Sequence, residues 1–317
     1  MNPITPVPIS RRGFLKWALR TGTFAGLLLA LPRSGGRLWA APRSDQTDIA
    51  VARGDIRGSV KAVIDELGGI GSFVRKGQKV LVKPNMSFPN PPEWGTTTNP
   101  EVVAALCELC IAAGAAQVLI VDNPLRRPDL CLRRSGIKAA VRDLPRTHVL
   151  AATDRSFYTQ ASVPGAIALD SVLVLRDALD IDVLINVPIA KSHNAAGVSL
   201  GMKNLMGLIW NRDDFHEQYD LNQAIADLSR LIRPDLIVVD ASRTLITGGP
   251  SGPGTVVPVG RIVAGTDPVA VDSYSVSLAR WYGRSFQGRN VRHVLHAAEQ
   301  GLGQIDTTKL KIRQISA

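Results

Sequence analysis

Short apolar runs alternate with stretches of helical periodicity along most of this chain. The runs at 79–85, 117–123, 182–188 and 235–242 (KVLVKPN, QVLIVDN, DVLINVP and DLIVVDAS) are apolar at nearly every position, not at every second one. Strands of this kind are buried on both faces, which is typical of parallel sheets covered by helices on two sides. The pattern therefore predicts the α/β class with a mainly parallel, doubly covered sheet.

Helical periodicity separates these runs and predicts one α/β domain over residues 41–317. The predicted helix at 99–114 begins with Asn99 as its capping residue and Pro100 at the first helical position. The section from 124 to 180 is less regular, and its pattern indicates short helices and antiparallel strands. The remaining predictions are strands at 47–53 and 309–315 and helices at 57–69, 200–209, 221–232, 267–283 and 290–303.

The N-terminal residues 1–40 have the pattern of a twin-arginine signal peptide. Residues 10–16, SRRGFLK, match the twin-arginine export motif, and the apolar stretch 21–32 follows. As a helix this stretch would be only ~18 Å long, so we expect no stable transmembrane span, although an amphipathic anchor or an uncleaved membrane helix is the alternative. Cleavage after Ala40 would leave a protein exported by the twin-arginine machinery to a bacterial periplasm.

The net charge of +10 is unevenly distributed along the sequence. Six of the 37 basic residues and none of the 27 acidic residues lie in residues 1–40, so the remainder carries a net charge of +4. Aromatic residues make up only 5% of the chain, which leaves few side chains for stacking on bases. We therefore expect no nucleic-acid partner.

The three cysteines do not form a metal-cluster motif. Cys107 and Cys110 share one face of a predicted helix with apolar residues, which favours core packing over redox chemistry. No second C-x-x-C completes a zinc or iron–sulfur site, so the spacing does not support a cluster. Cys131 could form a disulfide in an oxidising compartment.

Polar and basic residues follow the ends of four predicted strands. Lys83 and Asn85 end the strand at 79–85, and Asp240 ends the strand at 235–242. The stretch 190–207, AKSHNAAGVSLGMKNLMG, is predicted as a loop that brings lysines and bare glycine backbone toward an anion. Because ligands bind at the carboxyl ends of parallel strands, these residues predict a binding site for a small carboxylate or phosphate.

Several chemistries remain open at this site. His193 could act as a general acid or base, and Lys191 or Lys203 could act as a nucleophile if removed from water. A divalent metal held by His193, His216 and Asp240 is a further alternative, although the spacing matches no known metal motif. The sequence contains neither a P-loop nor a G-x-G-x-x-G after a strand, so ATP and NAD have no support.

The order of several motifs resembles the domain-of-unknown-function 362 family over roughly residues 47–290. The motifs are VLVKPN, TNPEVV, NVPIAKSH, GMKNLMG, VVDAS, GGPSGPG and GTDPVAVD. The resemblance implies that shared positions include Lys83, Asn85, Lys191, His193, Lys203, Asn204, Gly207, His216, Asp240, Gly252 and Asp267. It implies no activity, and the iron–sulfur segment of some relatives is not matched by the cysteine spacing here.

Three functions are consistent with the sequence. The first is an exported enzyme acting on a small anionic metabolite, and the others are a periplasmic redox or cofactor-handling protein and a noncatalytic solute-binding module. The catalytic candidates are Lys191, His193 and Lys203. The substrate-binding candidates are Lys83, Asn85, Asn204, Gly207, Asp240 and Gly252, whereas Asp267 and Asp272 are predicted to be structural helix residues.

Overall fold

The central sheet determines where all other elements lie. The computed structural model describes residues 47–317, so the predicted signal peptide lies outside the described residues. The strands are β1 (Ile49–Arg53), β2 (Lys79–Pro84), β3 (Gln117–Asp122), β4 (Thr147–Ala151), β5 (Tyr158–Ser162), β6 (Ser171–Leu175), β7 (Val183–Val187), β8 (Ile189–His193), β9 (Gly197–Ser199), β10 (Leu236–Leu245), β11 (Val256–Val257), β12 (Arg261–Gly265), β13 (Arg280–Trp281), β14 (Arg284–Ser285) and β15 (Ile312–Ser316).

The main path of the sheet runs in the order β15-β1-β12-β10-β7-β2-β3-β4. Neighbours along this path pair in parallel except at β12, which is antiparallel to both β1 and β10. The predicted fold class, with a mainly parallel sheet, is therefore confirmed. A parallel arrangement places the carboxyl ends of β2, β3 and β7 at one edge.

Helices cover both faces of this sheet. They are α1 (Ile56–Glu66), α2 (Pro100–Ala112), α3 (Pro128–Arg134), α4 (Ile137–Ala140), α5 (Arg176–Asp180), α6 (Gly201–Asn204), α7 (Asp214–Glu217), α8 (Leu221–Leu231), α9 (Pro268–Val276) and α10 (Arg292–Glu299). Short 3-10 turns occupy Ile70–Ser72, Pro92–Trp94, Arg155–Phe157, Leu205–Leu208, Gly288–Asn290 and Thr307–Lys309.

Alternate residues of β2 enter two separate apolar layers. Val80 and Val82 pack in the layer that contains α1 and α2, whereas Leu81 packs in the layer that contains α8, α9 and α10. Successive side chains of a strand point to opposite faces, so a strand between two layers must be apolar throughout. This explains the continuous apolar runs in the sequence.

The irregular middle section contains the expected antiparallel pair. Strands β5 and β6 form a separate two-stranded antiparallel sheet, with Tyr158 opposite Leu175 and Ser162 opposite Ser171. Strand β4 belongs instead to the main sheet, where it pairs in parallel with β3. Valine and leucine residues of β6 pack with Tyr158 in the same apolar layer as α8.

The stretch predicted as a single loop at 190–207 is a folded substructure. Strand β8 pairs in parallel with β10, and β9 turns back along β8 with Lys191 opposite Ser199. The loop prediction was wrong because the polar residues of β8 hide its strand character, although all five of its residues are buried. The helix predicted at 200–209 consists of α6 followed by the 3-10 turn Leu205–Leu208.

The cysteines are buried and unpaired. Cys107 and Cys110 pack on α2 in the apolar layer of α1, which confirms the core role predicted from their spacing. Cys131 is also free, so the alternative of a disulfide is not realised in this structure. Burial raises the pKa of Cys110 to about 12, which keeps its thiol protonated. Across residues 47–317, no helix combines the length and apolar character needed to cross a bilayer.

Candidate anion-binding site

The carboxyl ends of β2, β3 and β7 carry a buried polar cluster, which we call the inner network. Its members are Lys83, Asn85, Asp122, Asn186 and Asn204. The sheet sets the positions of the first four, because each lies at or just after the end of a parallel strand. Asn204 comes from the end of α6 and connects that helix to the sheet edge.

Lys83 has an oxygen partner for each of its three donor positions. Its Nζ donates to the Pro84 carbonyl at 2.6 Å and to Asn204 Oδ1 at 3.1 Å. It also forms an ion pair with Asp122 Oδ1 at 3.0 Å, and both side chains are essentially inaccessible. Burial lowers the pKa of Lys83, and the adjacent Asp122 carboxylate opposes this shift. Lys83 is therefore a structural cation with complete coordination.

Asn204 links the ends of β2 and β7 through both ends of its amide. Its Nδ2 donates to the Lys83 carbonyl at 3.1 Å and to Asn186 Oδ1 at 2.8 Å. Its Oδ1 accepts from Lys83 and from Asn85 Nδ2. Because all of these contacts are internal, Asn204 positions the other members of the network and leaves them little freedom to rearrange.

Gly207 is a glycine because it approaches the Lys83–Asp122 pair directly. A Cβ at this position would lie 2.0 Å from Asp122 Oδ1 and 2.6 Å from Lys83 Cε. Its carbonyl also accepts from the Asn123 amide at 2.9 Å. A side chain is therefore excluded at Gly207 for a steric reason. Gly207, a predicted substrate-binding residue, also lines the cavity.

A cavity of about 340 Å³ opens next to the inner network. Four cationic side chains line it, and they are called the cavity cations below. They are Arg126, Lys191, Lys203 and Arg212. Asp213 is the only carboxylate among the described residues that line this cavity. The wall is therefore strongly electropositive, and apolar surface comes from Phe88, Leu125 and Met206.

Lys191 lies on β8 and is 1% exposed. Its Nζ donates to the Thr96 carbonyl at 2.7 Å and to Asn85 Oδ1 at 3.4 Å, and it lies 4.8 Å from the centre of the Phe88 ring. Burial, followed by repulsion from Lys203, lowers the pKa of Lys191 to about 7. Lys191 is thus only partly coordinated in the free protein.

Lys203 has still fewer partners. Among the described residues, the only hydrogen-bond acceptor recorded for its Nζ is Met206 Sδ, at 3.1 Å. Its side chain is partly buried and lines the cavity. Desolvation, followed by the positive charges of Arg212 and Lys83, lowers the pKa of Lys203 to about 7.

His193 has its ring orientation set by the backbone. Its Nδ1 accepts from the amides of Ala195 and Ala196, both at 3.2 Å. Burial, followed by repulsion from Lys203 and Lys191, lowers the pKa of His193 to about 2. The ring is therefore neutral with its proton on Nε2, which makes Nε2 a hydrogen-bond donor.

His216 stacks against His193 at the same cavity. The two ring centres are 6.3 Å apart and the rings are inclined by 6°. Asp240, the third proposed metal ligand, is not among the described residues lining this cavity. Its carboxylate instead accepts from the Asn99 amide at 2.8 Å and from Ser242 Oγ at 2.6 Å. Residues 47–317 contain no cluster of three or more His, Cys, Asp or Glu side chains suited to a metal ion. The structure therefore does not assemble the ligand set suggested by the sequence.

Two further candidates lie away from the cavity wall. Gly252 has φ +66°, and a Cβ at this position would lie 3.2 Å from Trp94 and 3.4 Å from Thr96. The described wall residues include its neighbour Ser251 and not Gly252 itself. Asp240 likewise supports the backbone at Asn99, as described above. Both residues shape the loops behind the site, so neither is positioned to contact a ligand.

Asp267 and Asp272 have the structural roles that the sequence predicts. Asp267 caps α9 by accepting from the amides of Val269 and Ala270. Asp272 accepts from the amides of Gly201 at 2.8 Å and Met202 at 3.0 Å, so it holds the start of α6. This second contact matters for the site, because α6 carries Lys203 and Asn204.

Sequence reasoning missed several residues of the site. Asp122 and Asn186 were visible as polar strand ends, but nothing in the sequence showed that they would contact Lys83 and Asn204. Arg212 was close to the candidate His216, which could have drawn attention to it. Arg126 lies in an irregular segment that carries no comparable signal.

The family model described as "Domain of unknown function (DUF362)" matches residues 80–277, which is more than half of the chain. The chain belongs to this family. The match to DUF362 spans the inner network, β8 and α6. The DUF362 resemblance inferred from the motifs is thereby confirmed.

Two individual proteins are also similar to this DUF362 chain. The "Thylakoid-associated protein sll1697" of Synechocystis sp. is 28% identical over 226 residues, covering 69% of this chain and 68% of that protein. The structure of the lactate racemase apoprotein from Thermoanaerobacterium thermosaccharolyticum is 14% identical, with a TM-score of 0.43. That match covers 70% of this chain and 54% of the other, so the chain spans about half the length of that protein.

Proposed function

We propose that this protein is an enzyme that acts on a small carboxylate or phosphate metabolite bound in the cavity. The observation that supports this most strongly is the imbalance of charge on the wall, where four cations accompany one carboxylate. Burying like charges together is unfavourable in the free protein, and a bound anion would relieve that repulsion. The cavity volume of about 340 Å³ corresponds to ~11 water molecules, which is the scale of a small metabolite.

The three catalytic candidates take different parts in this proposal. Lys191 supplies positive charge for the anionic group, supported by its location between Asn85 and the Phe88 ring. His193 donates a hydrogen bond from Nε2, because its Nδ1 is occupied by backbone amides. Lys203 places an amine with a pKa of about 7 on the same cavity wall, so part of it is neutral at neutral pH.

Anion binding is tested by calorimetric titration of the protein with inorganic phosphate and with small carboxylates. Lys191→Met should weaken binding by about tenfold or more, because hydrogen bonds to charged groups contribute about 1.5–3 kcal/mol. Lys61→Met is the matched control, since Lys61 is exposed and pairs with Asp65 on α1. Equal affinity in the two variants would show that Lys191 takes no part in binding these anions, which contradicts the role proposed for it.

A noncatalytic solute-binding module is the alternative that the same cavity supports. Recovery of the bound molecule after incubation separates the two functions, because an enzyme returns a changed molecule and a binding module returns it unaltered. We assign no thiol redox function, since burial raises the pKa of Cys107 and Cys110 and both pack in the core. The proposed periplasmic role therefore depends on the cavity and not on the C-x-x-C.

Export through the twin-arginine route completes the proposal. It is supported by the SRRGFLK motif at residues 10–16. Cell fractionation should recover the natural protein in the periplasm, whereas replacing both Arg11 and Arg12 with Lys should retain it in the cytoplasm. Cytoplasmic recovery of the unaltered protein would contradict the export proposal without affecting the proposed cavity chemistry.

A further inference from the structure

The three lysines of the site differ in how their amines are coordinated. Lys83 has three oxygen partners, one of which is a carboxylate. Lys191 has two oxygen partners and an aromatic ring. For Lys203, the thioether of Met206 is the only acceptor recorded among the described residues. An ammonium presents three donors, so Lys203 is the amine whose charged form is least well supported.

We propose that Lys203 is a nucleophilic amine that forms an imine with the carbonyl group of a small oxo carboxylate. This inference rests on the proposed function, because it names the substrate class of the same cavity. The supporting geometry is an amine that lines the cavity and whose one acceptor within residues 47–317 is the weak Met206 sulfur. Such an amine keeps its lone pair available for attack on a carbonyl carbon.

The surroundings of Lys203 favour its neutral form. Arg212 and Lys83 repel a proton on its amine, and burial acts in the same direction to give a pKa of about 7. Burial also lowers the pKa values of His193 and His216, and Asp213 is the single carboxylate on the described cavity wall. A lysine placed beside other cations in a desolvated pocket is a known way to activate an amine.

The remaining wall residues suit the other parts of an oxo acid. Lys191 and Arg212 provide positive charge for its carboxylate. His193 provides a neutral Nε2–H donor for its carbonyl oxygen, because Nδ1 is already engaged. A donor at the carbonyl oxygen stabilises the negative charge that develops there when an amine attacks.

The covalent step is balanced without an oxidant or reductant. The Lys203 lone pair forms a bond to the carbonyl carbon, and the carbon–oxygen π electrons move to oxygen. The nitrogen then releases its two protons to oxygen in successive transfers, and the oxygen leaves as water. The product is a carbon–nitrogen double bond between Lys203 and the substrate, and the reaction is reversible by addition of water.

Reductive trapping tests this inference on the natural chain. The protein is incubated with pyruvate and sodium borohydride, which delivers hydride to an imine carbon and makes the link permanent. Peptide mapping by mass spectrometry should place the adduct at Lys203. Propionate, which has the carboxylate but lacks the oxo group, should give no adduct. Lys203→Arg should abolish labelling, whereas the exposed Lys61→Arg should retain it.

The outcomes separate this inference from the proposed function. Binding of both pyruvate and propionate by calorimetry, with no adduct at Lys203, would overturn the imine and leave the anion site standing. An adduct at Lys191 or at surface lysines in place of Lys203 would also overturn it. If pyruvate, propionate and phosphate all fail to bind, both proposals fall. Mapping of the natural protein locates the adduct even if a Lys203 variant does not fold.

Discussion

The inner network and the cavity cations are adjacent, but the partners of their charged side chains differ. In the inner network, Lys83 is matched by Asp122 and by oxygen acceptors, and Asn204 uses both ends of its amide. On the cavity wall, Lys191 and Lys203 lack any carboxylate partner among the described ion pairs. Lys191 and Lys203 have fewer oxygen partners than Lys83, and the cavity wall is therefore where we propose that an anion completes the coordination.

The comparison also explains why the two sets are adjacent. Cations brought together without partners repel one another and destabilise the fold. A rigid network beneath them holds their backbone segments in place, since Asn204 follows Lys203 on α6 and Asn85 contacts Lys191. The inner network therefore stabilises an arrangement that the cavity cations alone would disrupt.

The largest expected effect comes from breaking the inner network at Asp122. Asp122→Asn removes the carboxylate of a fully buried pair and leaves Lys83 without its counter-charge. Removing one partner of a buried pair costs about 3–5 kcal/mol in the free energy of unfolding. Chemical denaturation, followed by circular dichroism, measures this loss.

The control for this variant is an exposed ion pair. Asp129 pairs with Arg127 on the surface at 3.0 Å, and the Asp129 side chain is 54% exposed. Asp129→Asn should leave the denaturation midpoint unchanged, because exposed pairs are screened by water and salt. A comparable loss of stability in both variants would show that the buried Lys83–Asp122 pair contributes no more to folding than an exposed ion pair.

The second effect is the pH dependence caused by Lys191. Its pKa is about 7 in the folded protein and near 10.5 when unfolded, so the unfolded state binds more protons between these values. The contribution of Lys191 to folding stability should therefore rise with pH across this window and be most unfavourable below pH 7. The expected gain is about 1.4 kcal/mol per pH unit.

The change is measured as a difference between the natural protein and Lys191→Met, from pH 7 to pH 9. The difference is needed because the buried Cys107 and Cys110 thiols have raised pKa values and oppose the trend of the lysine. Stability of the natural protein should rise relative to the variant by about 2–3 kcal/mol over this range. A parallel pH dependence in both proteins would show that Lys191 is charged normally.

The strand ends could be predicted because each depends on local pattern and one general rule. Continuous apolar runs indicate parallel strands, and the carboxyl ends of parallel strands share an edge, which places Lys83 and Asn186 at the same edge of the sheet. The partners across that edge could not be predicted, because pairing of Lys83 with Asp122 depends on the order of β2 and β3 in the sheet. Asp240 also ends a strand, but its carboxylate is used by the Asn99 backbone.

The cavity wall was harder to predict than the sheet edge. Lys191 and His193 were identified by their types, but the sequence did not show that β8 buries them. Arg126 and Arg212 come from segments without hydrophobic periodicity. The tertiary packing of these segments brings the two guanidinium groups to the cavity. Residue types therefore predicted the charge of the site, while the number of cations depended on tertiary structure.

The third effect tests the steric side of the inner network. Gly207→Ala would place a methyl group 2.0 Å from Asp122 Oδ1 and 2.7 Å from Lys83 Nζ. Relieving this overlap requires the ion pair to shift, and overpacking of this kind costs about 1–3 kcal/mol. The free energy of unfolding should fall accordingly, as measured by chemical denaturation.

Gly71→Ala is the matched control for this substitution. A Cβ at Gly71 meets no heavy atom within 4 Å, and the residue does not have a positive φ. Its replacement should therefore change stability by no more than about 0.5 kcal/mol. If Gly207→Ala is equally harmless, the inner network is less rigid than its hydrogen bonds indicate.

The smallest expected effect concerns His293. Its substitution tests whether a buried side chain without hydrogen-bond partners also takes part in ligand binding. This residue on α10 is fully buried, and neither ring nitrogen has a hydrogen-bond partner in the described structure. It does not belong to the described cavity wall, so its unsatisfied nitrogens should carry an energetic cost without a ligand to offset it. Burial lowers the pKa of His293 to about 3, so the ring is neutral at pH 7.

His293→Leu should therefore raise the free energy of unfolding by about 1 kcal/mol at pH 7, because an unsatisfied polar group is replaced by an apolar one. Phosphate affinity should stay within about twofold of the natural protein, since the cavity cations are untouched. A loss of affinity similar to that of Lys191→Met would place His293 in the binding machinery. In that case, lining the cavity would no longer tell which residues bind the ligand. Proximity to Lys203 would be the criterion that separates them from the inner network.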